Sequence, residues 1–342
     1  MKNYKLQNTQ GILFDCITSK ENTWYSFIQT QKGKPKHKAP ATRFRQDETV
    51  NLESIRTSVL TGTWTPRGFY KFEITEPKHR IIHAPAYEDK IVHHMTYQVL
   101  RDIYEPLFIH DSFSCIRGKG NQAAVKRLQQ HIRVSQRNHK QAWLVKLDIS
   151  KFFPSIDREI LKSIYAKHIH CSKALDLVHK IINSSPGDKG LPLGCVTSQL
   201  SANVYMNKFD QFVKHTLKVK HYIRYADDMF MIVKSKQEAR ELLKISKEFM
   251  ETELNLQFSE GKYYIKNCNQ GVDGLGYRIF STHILFKSRT KKKIIKVRND
   301  DTLDTKAKIR SISSFNSYLS LADSHNFKEK VGIYDLLKSR EV

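Results

Sequence analysis

Three aspartates stand where strand-like segments end, and their type and spacing suit metal-dependent chemistry. Asp148 lies near the end of the apolar run 143–149, and Asp227 and Asp228 are adjacent between the apolar segments 221–226 and 229–233. Aspartate is also a common turn residue, because its side chain satisfies nearby backbone donors, so a purely structural role at this bend is the alternative. A carboxylate pair in an apolar hairpin is costly unless it binds a cation, which favours a metal-binding role.

Clustered carboxylate oxygens are hard ligands of the kind that Mg²⁺ prefers. This ion keeps several waters and completes its coordination with substrate phosphates. Two such ions can activate an attacking 3′-oxygen and stabilise a leaving pyrophosphate. The three aspartates therefore predict a two-metal site that transfers a nucleotide.

Periodicity in the sequence predicts the elements that must position these residues. Polar and apolar residues alternate at 71–74 and at 80–83, which predicts a two-stranded hairpin. Helices are predicted at 51–60, 88–104, 122–132, 157–168, 198–217 and 237–253, and over most of the last ~55 residues, which begin with Lys291-Lys292-Lys293. Asn51 is a candidate N-cap for the first of these helices.

The remaining segments are predicted to be loops and a last strand region. The basic stretch 31–45 and the segment 187–194 contain proline and glycine, which favours loops. Residues 274–279 are expected to begin a strand. From 143 to 253 the order is strand, helix, helix, hairpin, helix, which fits an α+β sheet with helices packed on one face.

Composition excludes several classes of protein. The 342 residues are 39% hydrophobic and 11% aromatic, which is enough for a folded core and excludes wholesale disorder. No stretch approaches the ~20 apolar residues of a membrane span, and no apolar signal segment follows Met1. The five cysteines are scattered without a CxxC pair, so neither a zinc ribbon nor a disulfide framework is predicted. We therefore expect a reduced, soluble, cytoplasmic protein of roughly two domains, or of one elaborate domain with subdomains.

The charge of the chain favours a polyanionic partner. Lysine and arginine number 58 against 34 acidic residues, which gives a formal net charge of +24. Nucleic acid is the commonest cytoplasmic polyanion, and it is therefore the expected partner. A merely soluble basic protein is one alternative. An anionic membrane surface is the weaker alternative as a partner, because no basic amphipathic helix stands out.

Two motifs carry a resemblance to reverse transcriptases. Tyr225-Ala226-Asp227-Asp228 resembles the YxDD motif of that family, and the segment 147–157 (LDISKFFPSID) resembles its motif A. Together with the segments 194–199 and 275–277, which follow in the matching order, the resemblance extends from about residue 50 to the end of the chain.

The resemblance implies an α+β right-hand polymerase fold of fingers, palm and thumb, with an antiparallel palm sheet that carries the YxDD hairpin. The implied domains are an N-terminal extension with the start of the fingers at 1–65, the fingers at 66–142, the palm, with part of the fingers between motifs A and B, at 143–270, and the thumb at 271–342.

The resemblance also implies the catalytic set. It makes Asp148 and Asp227 the metal ligands and Asp228 the neighbour that completes the site, with Ile149 included in the metal-binding group. The implied cofactor is two Mg²⁺ ions, for which Mn²⁺ can substitute. Lys262 matches a candidate proton donor to pyrophosphate, and a solvated lysine is the alternative.

Further residues are implied to bind the nucleotide and the primer. Phe153 lies five residues after Asp148, at the position of the steric gate whose ring excludes a ribose 2′-OH; an ordinary core aromatic is the alternative. The turn Leu275-Gly276-Tyr277 resembles the primer grip, where glycine permits close approach of the backbone.

The fingers match as well. Lys78 and Arg80 belong to a basic hairpin that is expected to cover the incoming triphosphate, where an arginine can contact two phosphate oxygens at once. A surface ion pair is the alternative for Arg80. The segment 111–120 resembles the second fingers motif, in which Arg117 and Lys119 are implied template contacts.

One segment distinguishes subgroups of the family. Most reverse transcriptases carry PQG followed by SP, whereas residues 190–199 here read GLPLGCVTSQ, with Leu193 in place of glutamine and Gln199 in place of proline after Ser198. This resembles motif B of the reverse transcriptases of diversity-generating retroelements, which miscopy template adenines. Leu193 and Gly194 are expected beside the nucleotide, where a leucine cannot supply the hydrogen bonds of a glutamine amide, and losing a polar contact weakens discrimination. Simple packing of Leu193 is the alternative.

The implied function is an RNA-directed DNA polymerase that makes adenine-mutagenic cDNA from the template-repeat RNA of such an element. The implied partners are template RNA, primer and cDNA, dNTPs and a pentameric, basic, helical accessory protein, with no membrane. The end of the chain at Val342 favours this subgroup, because it leaves no room for a maturase or endonuclease domain.

Two alternatives stay open. One is a group II intron-like or phage-defence reverse transcriptase (abortive-infection or retron-type) of ordinary fidelity. The other is an inert RNA-binding protein on a polymerase fold, against which the three costly carboxylates argue.

Overall fold

The computed structural model describes residues 12–32, 39–75 and 79–338, and these residues form two compact units. The first unit contains the described residues up to His110 together with Ile149–Leu217 and Ser246–Ser259. The second contains Asp111–Asp148, Lys218–Ile245 and the described residues from Glu260 onward. The chain thus passes from the second unit into the first directly after Asp148.

The secondary structure mixes helices and strands. The helices are α1 (Ile12–Thr18), α2 (Lys20–Gln31), α3 (Ala39–Gln46), α4 (Glu48–Leu60), α5 (Tyr87–Tyr104), α6 (Asn121–His139), α7 (Phe152–Ser155), α8 (Arg158–Ala166), α9 (Ser172–Asn183), α10 (Val196–Gln211), α11 (Lys236–Leu254), α12 (Ser288–Arg298), α13 (Thr305–Ser314), α14 (Asn316–Leu321), α15 (His325–Lys330) and α16 (Ile333–Lys338). The strands are β1 (Phe69–Ile74), β2 (Arg80–Pro85), β3 (Trp143–Asp148), β4 (His221–Tyr225), β5 (Asp228–Val233), β6 (Tyr264–Asn267), β7 (Val272–Gly274), β8 (Tyr277–Ile279) and β9 (Ile284–Phe286).

The first unit is mainly helical and is organised around α5. Ile91 and Met95 recur at four-residue spacing on α5 and are fully buried. This helix packs against α1, α2 and α10. The strands β1 and β2 form an antiparallel hairpin in which Phe69 lies opposite Pro85 and Ile74 lies opposite Arg80.

The second unit is built on two antiparallel sheets. Four strands pair in the order β4-β5-β3-β6, and three pair in the order β7-β8-β9. Helix α6 packs against β4, β5 and β8, and its fully buried Leu128 and Ile132 join the core of this unit. The antiparallel α+β arrangement therefore agrees with the prediction from the order of elements. Helix α11 is shared, because its first half belongs to this unit and its second half to the first.

Most predicted elements are present, and three details of the prediction are wrong. Asn51 is not the N-cap of α4, because the helix begins at Glu48 and the side chain of Asn51 instead donates a hydrogen bond to the carbonyl of Phe44 at 2.9 Å. The predicted loop 31–45 contains α3 in its second part, where burial of Ala41 and Phe44 overrides the basic, proline-containing composition; positions 33–38 lie outside the described residues.

The third difference concerns the helix predicted at 198–217. Helix α10 ends at Gln211, and a π-helical turn continues the chain over Phe212–Thr216. The sequence patterns also did not identify α1, α2, α9, β6 or β9. Among the described residues, none of the helices has the length and apolar character that crossing a membrane requires.

Candidate active site

The register of two strands brings a pair of predicted catalytic carboxylates together. Strands β3 and β5 pair from Trp143 opposite Val233 to Asp148 opposite Asp228. Residues directly opposite each other in an antiparallel pair project from the same face of the sheet. Asp148 and Asp228 therefore share one face at the last position of the ladder.

Asp227 lies in the tight turn between β4 and β5. Tyr225 and Asp228 are register partners, so Ala226 and Asp227 form a two-residue loop. Ala226 has a φ of +55°, in the left-handed region, whereas Asp227 does not have a positive φ. Positive φ at the first loop residue alone is typical of a type II′ turn, where glycine is usual.

A buried arginine supports this turn from inside the unit. The side chain of Arg224 is fully buried, and its Nη1 donates a hydrogen bond to the carbonyl of Ala226 at 3.2 Å. The backbone N–H of Arg224 donates to Asp111, and its carbonyl accepts from the N–H of Phe113, each at 3.0 Å. The segment that resembles the second fingers motif therefore begins alongside the carboxylate hairpin.

A buried ionic cluster anchors the start of that segment. The carboxylate of Asp111 is buried and accepts from Arg127 Nε at 2.8 Å and from His131 Nε2 at 3.0 Å. The two Nδ1 atoms of His131 and His221 are 2.9 Å apart, so one ring donates to the other. Sequence reasoning missed this cluster; a histidine on the buried, apolar face of α6 was the available signal.

Two lysines lie against the paired carboxylates. Lys146 Nζ is 3.1 Å from Asp228 Oδ1, and Lys262 Nζ is 3.4 Å from Asp148 Oδ1. The Lys146 side chain is only 15% exposed, whereas the Lys262 side chain is 56% exposed. The predicted proton donor Lys262 is thus beside a predicted metal ligand, and more than half of its side chain is exposed to solvent.

The donor set fits a hard divalent cation in its chemistry. Asp148 and Asp228 offer carboxylate oxygens from one face, and among the described residues the buried Asp228 Oδ1 has no hydrogen-bond partner beyond its ion pair with Lys146. Within those same residues, no group of three or more His, Cys, Asp or Glu side chains is gathered closely enough to hold an ion. The structure therefore brings two of the predicted ligands together, while Asp227 lies in the turn immediately before Asp228.

The turn between β7 and β8 holds the predicted primer-grip residues. Leu275 and Gly276 have φ values of +54° and +91°, and the carbonyl of Leu275 accepts a hydrogen bond from Asn121 Nδ2 at 3.1 Å. Tyr277 stacks on Tyr318 with ring centroids 5.7 Å apart. Burial raises the pKa of Tyr277 to about 12, so its hydroxyl keeps its proton at neutral pH.

A glycine contact joins this turn to the carboxylate strands. A Cβ on Gly274 would lie 2.5 Å from the ring of Phe230, the residue that follows Asp228 by two positions on β5. The predicted template contacts lie on a neighbouring loop of the same unit. Arg117 is exposed there, and Lys119 Nζ lies 5.6 Å from the ring centroid of Phe113.

In the first unit, backbone hydrogen bonds attach the segment that follows motif A to the loop before α10. The carbonyl of Phe153 accepts from the N–H of Leu191 at 2.8 Å, and the carbonyl of Ile156 accepts from Gly190 at 2.9 Å. Arg158 Nε donates to the carbonyl of Gly190 at 2.9 Å. The half-buried ring of Phe153 is held next to Phe152, with centroids 5.4 Å apart.

Glycine is required at one point of this attachment. Gly190 has a φ of +82°, and a Cβ there would lie 2.6 Å from the carbonyl oxygen of Pro154. Such a distance is too short for any real side chain, so only glycine lets the two backbones approach this closely.

The segment that distinguishes subgroups packs against β2. The N–H of His83 donates to the carbonyl of Leu193 at 2.9 Å, and a Cβ on Gly194 would lie 2.8 Å from Ile82 Cγ2. The Leu193 side chain is half-buried. Arg80 begins the same strand with an exposed side chain, and Lys78 lies outside the described residues.

The start of α10 carries the rest of this segment. Ser198 is buried and Gln199 is exposed on the first turn of the helix. The neighbouring Thr197 accepts or donates a hydrogen bond with His93 Nδ1 on α5 at 2.7 Å. Complete burial lowers the pKa of His93 to about 3, so this ring is neutral at physiological pH. Ile149, included in the predicted metal-binding group, is buried and forms an isolated bridge with Phe258.

Comparison with known families supports the resemblance found in the motifs. Residues 72–279, more than half of the chain, match the family described as reverse transcriptase (RNA-dependent DNA polymerase). The group II intron-encoded protein LtrA of Lactococcus lactis is 23% identical, in an alignment that covers 71% of this chain and 53% of that protein. The protein YkfC of Escherichia coli is 23% identical, with 67% of this chain and 71% of that protein covered. The chain thus spans about half the length of the group II intron-encoded relative.

Two solved structures are also similar. Telomerase from Candida albicans, in complex with a fragment of telomeric RNA, has a TM-score of 0.48 at 10% identity and covers 80% of this chain and 59% of its own. Telomerase from Candida tropicalis, truncated from its C-terminal domain, has a TM-score of 0.48 at 11% identity and covers 68% of this chain and 59% of its own.

Proposed function

The chain belongs to the reverse transcriptase family, and on this premise we propose that it is an RNA-directed DNA polymerase that extends a primer on an RNA template. The observation that carries the proposal is the register of β3 and β5, which sets Asp148 opposite Asp228 within the matched region. The formal net charge of +24 suits template RNA, primer and cDNA, because lysines and arginines attract phosphates.

Asp148, Asp227 and Asp228, with Ile149 in the same group, are the proposed holders of two divalent ions, of the kind that reverse transcriptases generally use. When bound, such ions supply Lewis-acid activation of the primer 3′-oxygen and charge stabilisation of the leaving pyrophosphate. Lys262, whose exposed Nζ is 3.4 Å from Asp148 Oδ1, is the proposed donor of a proton to that pyrophosphate.

The other site residues are proposed to bind and select the nucleotide. Arg80, with Lys78, binds the triphosphate, and the ring of Phe153 excludes a ribose 2′-OH. Replacement of Phe153 by alanine should therefore admit ribonucleotides, and strict retention of dNTP selectivity would contradict its role as a gate. The proposed template contacts are Arg117 and Lys119, and the primer contacts are Leu275, Gly276 and Tyr277.

The polymerase proposal is tested by replacing one turn carboxylate. Asp227→Ala should abolish cDNA synthesis from a defined, primed RNA with Mg²⁺ and dNTPs, while RNA binding stays intact. Asp273→Ala is the matched control, because Asp273 lies on β7 of the same unit with a lysine partner, Lys266, at 3.5 Å. Residual synthesis by a pure Asp227→Ala preparation would overturn the assignment.

Within the family, we propose that the chain is the mutagenic reverse transcriptase of a diversity-generating retroelement. The support is the segment 190–199, where Leu193 and Gln199 stand in place of a glutamine and a proline. The carbonyl of Leu193 is held by His83 on β2, so a change of side chain can leave the backbone in place. On this proposal, a pentameric, basic, helical accessory protein is a further partner.

The error spectrum of the cDNA tests this finer proposal. Errors should concentrate opposite template adenines, and Leu193→Gln should reduce them, because the amide restores hydrogen bonds to the nucleotide. Val196→Gln, at a half-buried position on α10, is a control for adding an amide nearby. An unchanged spectrum in Leu193→Gln would contradict the role of Leu193.

A group II intron-like reverse transcriptase of ordinary fidelity is the second candidate. It is favoured by the similarity to a group II intron-encoded protein over 71% of this chain. Faithful cDNA from the wild-type protein, with its cognate RNA supplied, would select this candidate over the mutagenic one.

A further inference from the structure

Lys146 is a lysine on the catalytic face of the sheet to which none of the proposed steps assigns a role. It precedes Asp148 by two positions on β3, so both side chains project from the same face. Its register partners are Phe230 on β5 and Tyr264 on β6. Its Nζ lies 3.1 Å from Asp228 Oδ1 and 5.8 Å from the ring centroid of Phe230.

The surroundings of Asp228 show why a cation is needed there. Among the described residues, the buried Asp228 Oδ1 has no hydrogen-bond partner other than its ion-pair contact with Lys146. A buried carboxylate oxygen is costly unless a cation compensates its charge. The ammonium group of Lys146 supplies that compensation, and its stem is confined, since only 15% of the side chain is exposed between the two aromatic neighbours.

We propose that Lys146 is the resident counter-ion of Asp228 and sets how tightly the carboxylate pair binds a divalent cation before a nucleotide arrives. The inference rests on the proposed function, because it concerns the same metal-binding carboxylates. An ammonium group and a metal ion compete for one oxygen, and each repels the other. The metal affinity of the free enzyme is therefore kept low, and the negative charge of a nucleoside triphosphate offsets this repulsion when it binds.

Coulomb's law gives the size of the effect. A unit charge and a divalent ion about 5 Å apart, screened as in bulk water, change a binding constant by roughly tenfold to twentyfold. Lys146 is therefore a positioning and charge-balancing residue, and it differs from Lys262, which is mostly exposed and can leave Asp148 without an energetic cost from burial.

Metal affinity without nucleotide is the direct test. The full chain, free of nucleic acid and dNTP, is titrated with Mn²⁺, and the free ion is measured by electron paramagnetic resonance. Lys146→Met keeps a stem of similar length without the charge, so its Mn²⁺ dissociation constant should fall at least about tenfold. Lys146→Arg keeps the charge and should stay near the wild-type value.

A matched control isolates the position of the charge. Lys266 lies on β6 on the same face of the sheet, pairs with Asp273 at 3.5 Å and has Leu144 as its register partner, away from the carboxylate pair. Lys266→Met should therefore leave Mn²⁺ affinity unchanged. Lys146→Gln is a second neutral variant, for use if Lys146→Met does not fold.

The outcomes separate this inference from the proposed function. An unchanged or weaker Mn²⁺ affinity in the folded neutral Lys146 variants overturns the inference. Asp148→Asn and Asp228→Asn, each made as a single substitution in the wild-type protein, should weaken Mn²⁺ binding. If these two variants instead bind Mn²⁺ as tightly as the wild-type protein does, the carboxylate pair is not the metal site on which the proposed function depends.

Discussion

The carboxylate strands of the second unit and the loop 186–195 of the first unit hold their residues in different ways. Asp148 and Asp228 take their places from the regular register of β3 and β5. Phe153 and Leu193 take theirs from single backbone hydrogen bonds to Leu191 and His83. One region depends on repeated strand pairing, and the other on individual contacts in irregular backbone.

This difference shows in which region a substitution can change activity without changing the stability of the fold. At the end of a ladder, a side chain can change while many hydrogen bonds keep the backbone in place. In the loop, the backbone of Gly190 itself makes the close approach to Pro154, so even one added methyl group must displace the chain. We therefore expect substitutions of the paired carboxylates in the sheet to alter activity and substitution of Gly190 in the loop to alter folding.

Replacing Asp148 by asparagine should give the largest loss of activity with the smallest loss of stability. A carboxylate that holds a catalytic ion contributes several kcal/mol to the transition state, so cDNA synthesis should fall at least about a thousandfold. Like charges opposite each other are destabilising, and the exposed pair with Lys262 contributes little, so the melting temperature should be unchanged or slightly raised. Primer extension and thermal unfolding of the same preparation measure both. A large fall in melting temperature would show that the hydrogen bonds between β3 and β5 do not keep the fold stable when the Asp148 side chain changes.

Replacing Gly190 by alanine should mainly lower the stability of the protein. The left-handed φ costs about 1–2 kcal/mol for an alanine, and overlap with the Pro154 carbonyl adds about 1–3 kcal/mol, so the free energy of unfolding should fall by roughly 2–5 kcal/mol in urea titrations. Gly187 is the matched control: its φ is +72°, but a Cβ there would meet nothing within 4 Å. Gly187→Ala should therefore lower the free energy of unfolding only by the cost of the left-handed φ, about 1–2 kcal/mol. Equal losses of unfolding free energy in both variants would exclude the contact with Pro154 as the cause.

The carboxylate strands and the loop 186–195 also differ in how much of each could be predicted from the sequence. The β3 strand, the β4–β5 hairpin and the end position of Asp148 were predictable, because period-two patterns and turn residues are local signals. The register that sets Asp148 opposite Asp228, and the ion pair of Lys146, depend on which strands become neighbours, and a single sequence does not state this.

The loop was predictable only as a loop. Nothing local indicates that Gly190 meets Pro154 or that His93 bonds Thr197, because each contact joins elements far apart in the chain. The wrong assignments have the same origin, since burial of Ala41 and Phe44 produces α3 within a segment whose composition favours a loop.

The buried His93, which is hydrogen-bonded to Thr197, should make the free energy of unfolding depend on pH. Burial lowers the pKa of His93 from 6.5 to about 3, so the unfolded chain binds a proton below pH 6.5 that the folded chain does not. The stability contribution is therefore complete above pH 6.5 and is lost as pH falls toward 3, by about 2 kcal/mol at pH 5. Relative to wild type, His93→Gln should lose less unfolding free energy between pH 7 and pH 5. Parallel pH profiles for the two proteins would show that His93 is not the group responsible.

The smallest effect is expected at the turn of the carboxylate hairpin, where the sheet region itself depends on one irregular residue. Ala226 has a φ of +55°, which glycine adopts without strain, so Ala226→Gly should raise the free energy of unfolding by up to about 1 kcal/mol. Lys140, at the end of α6 with a φ of +57°, is the control away from the site, and Lys140→Gly should give a similar gain. If Ala226→Gly destabilises the protein while Lys140→Gly stabilises it, packing of the Ala226 methyl group, and not only its backbone angle, holds the turn that carries Asp227.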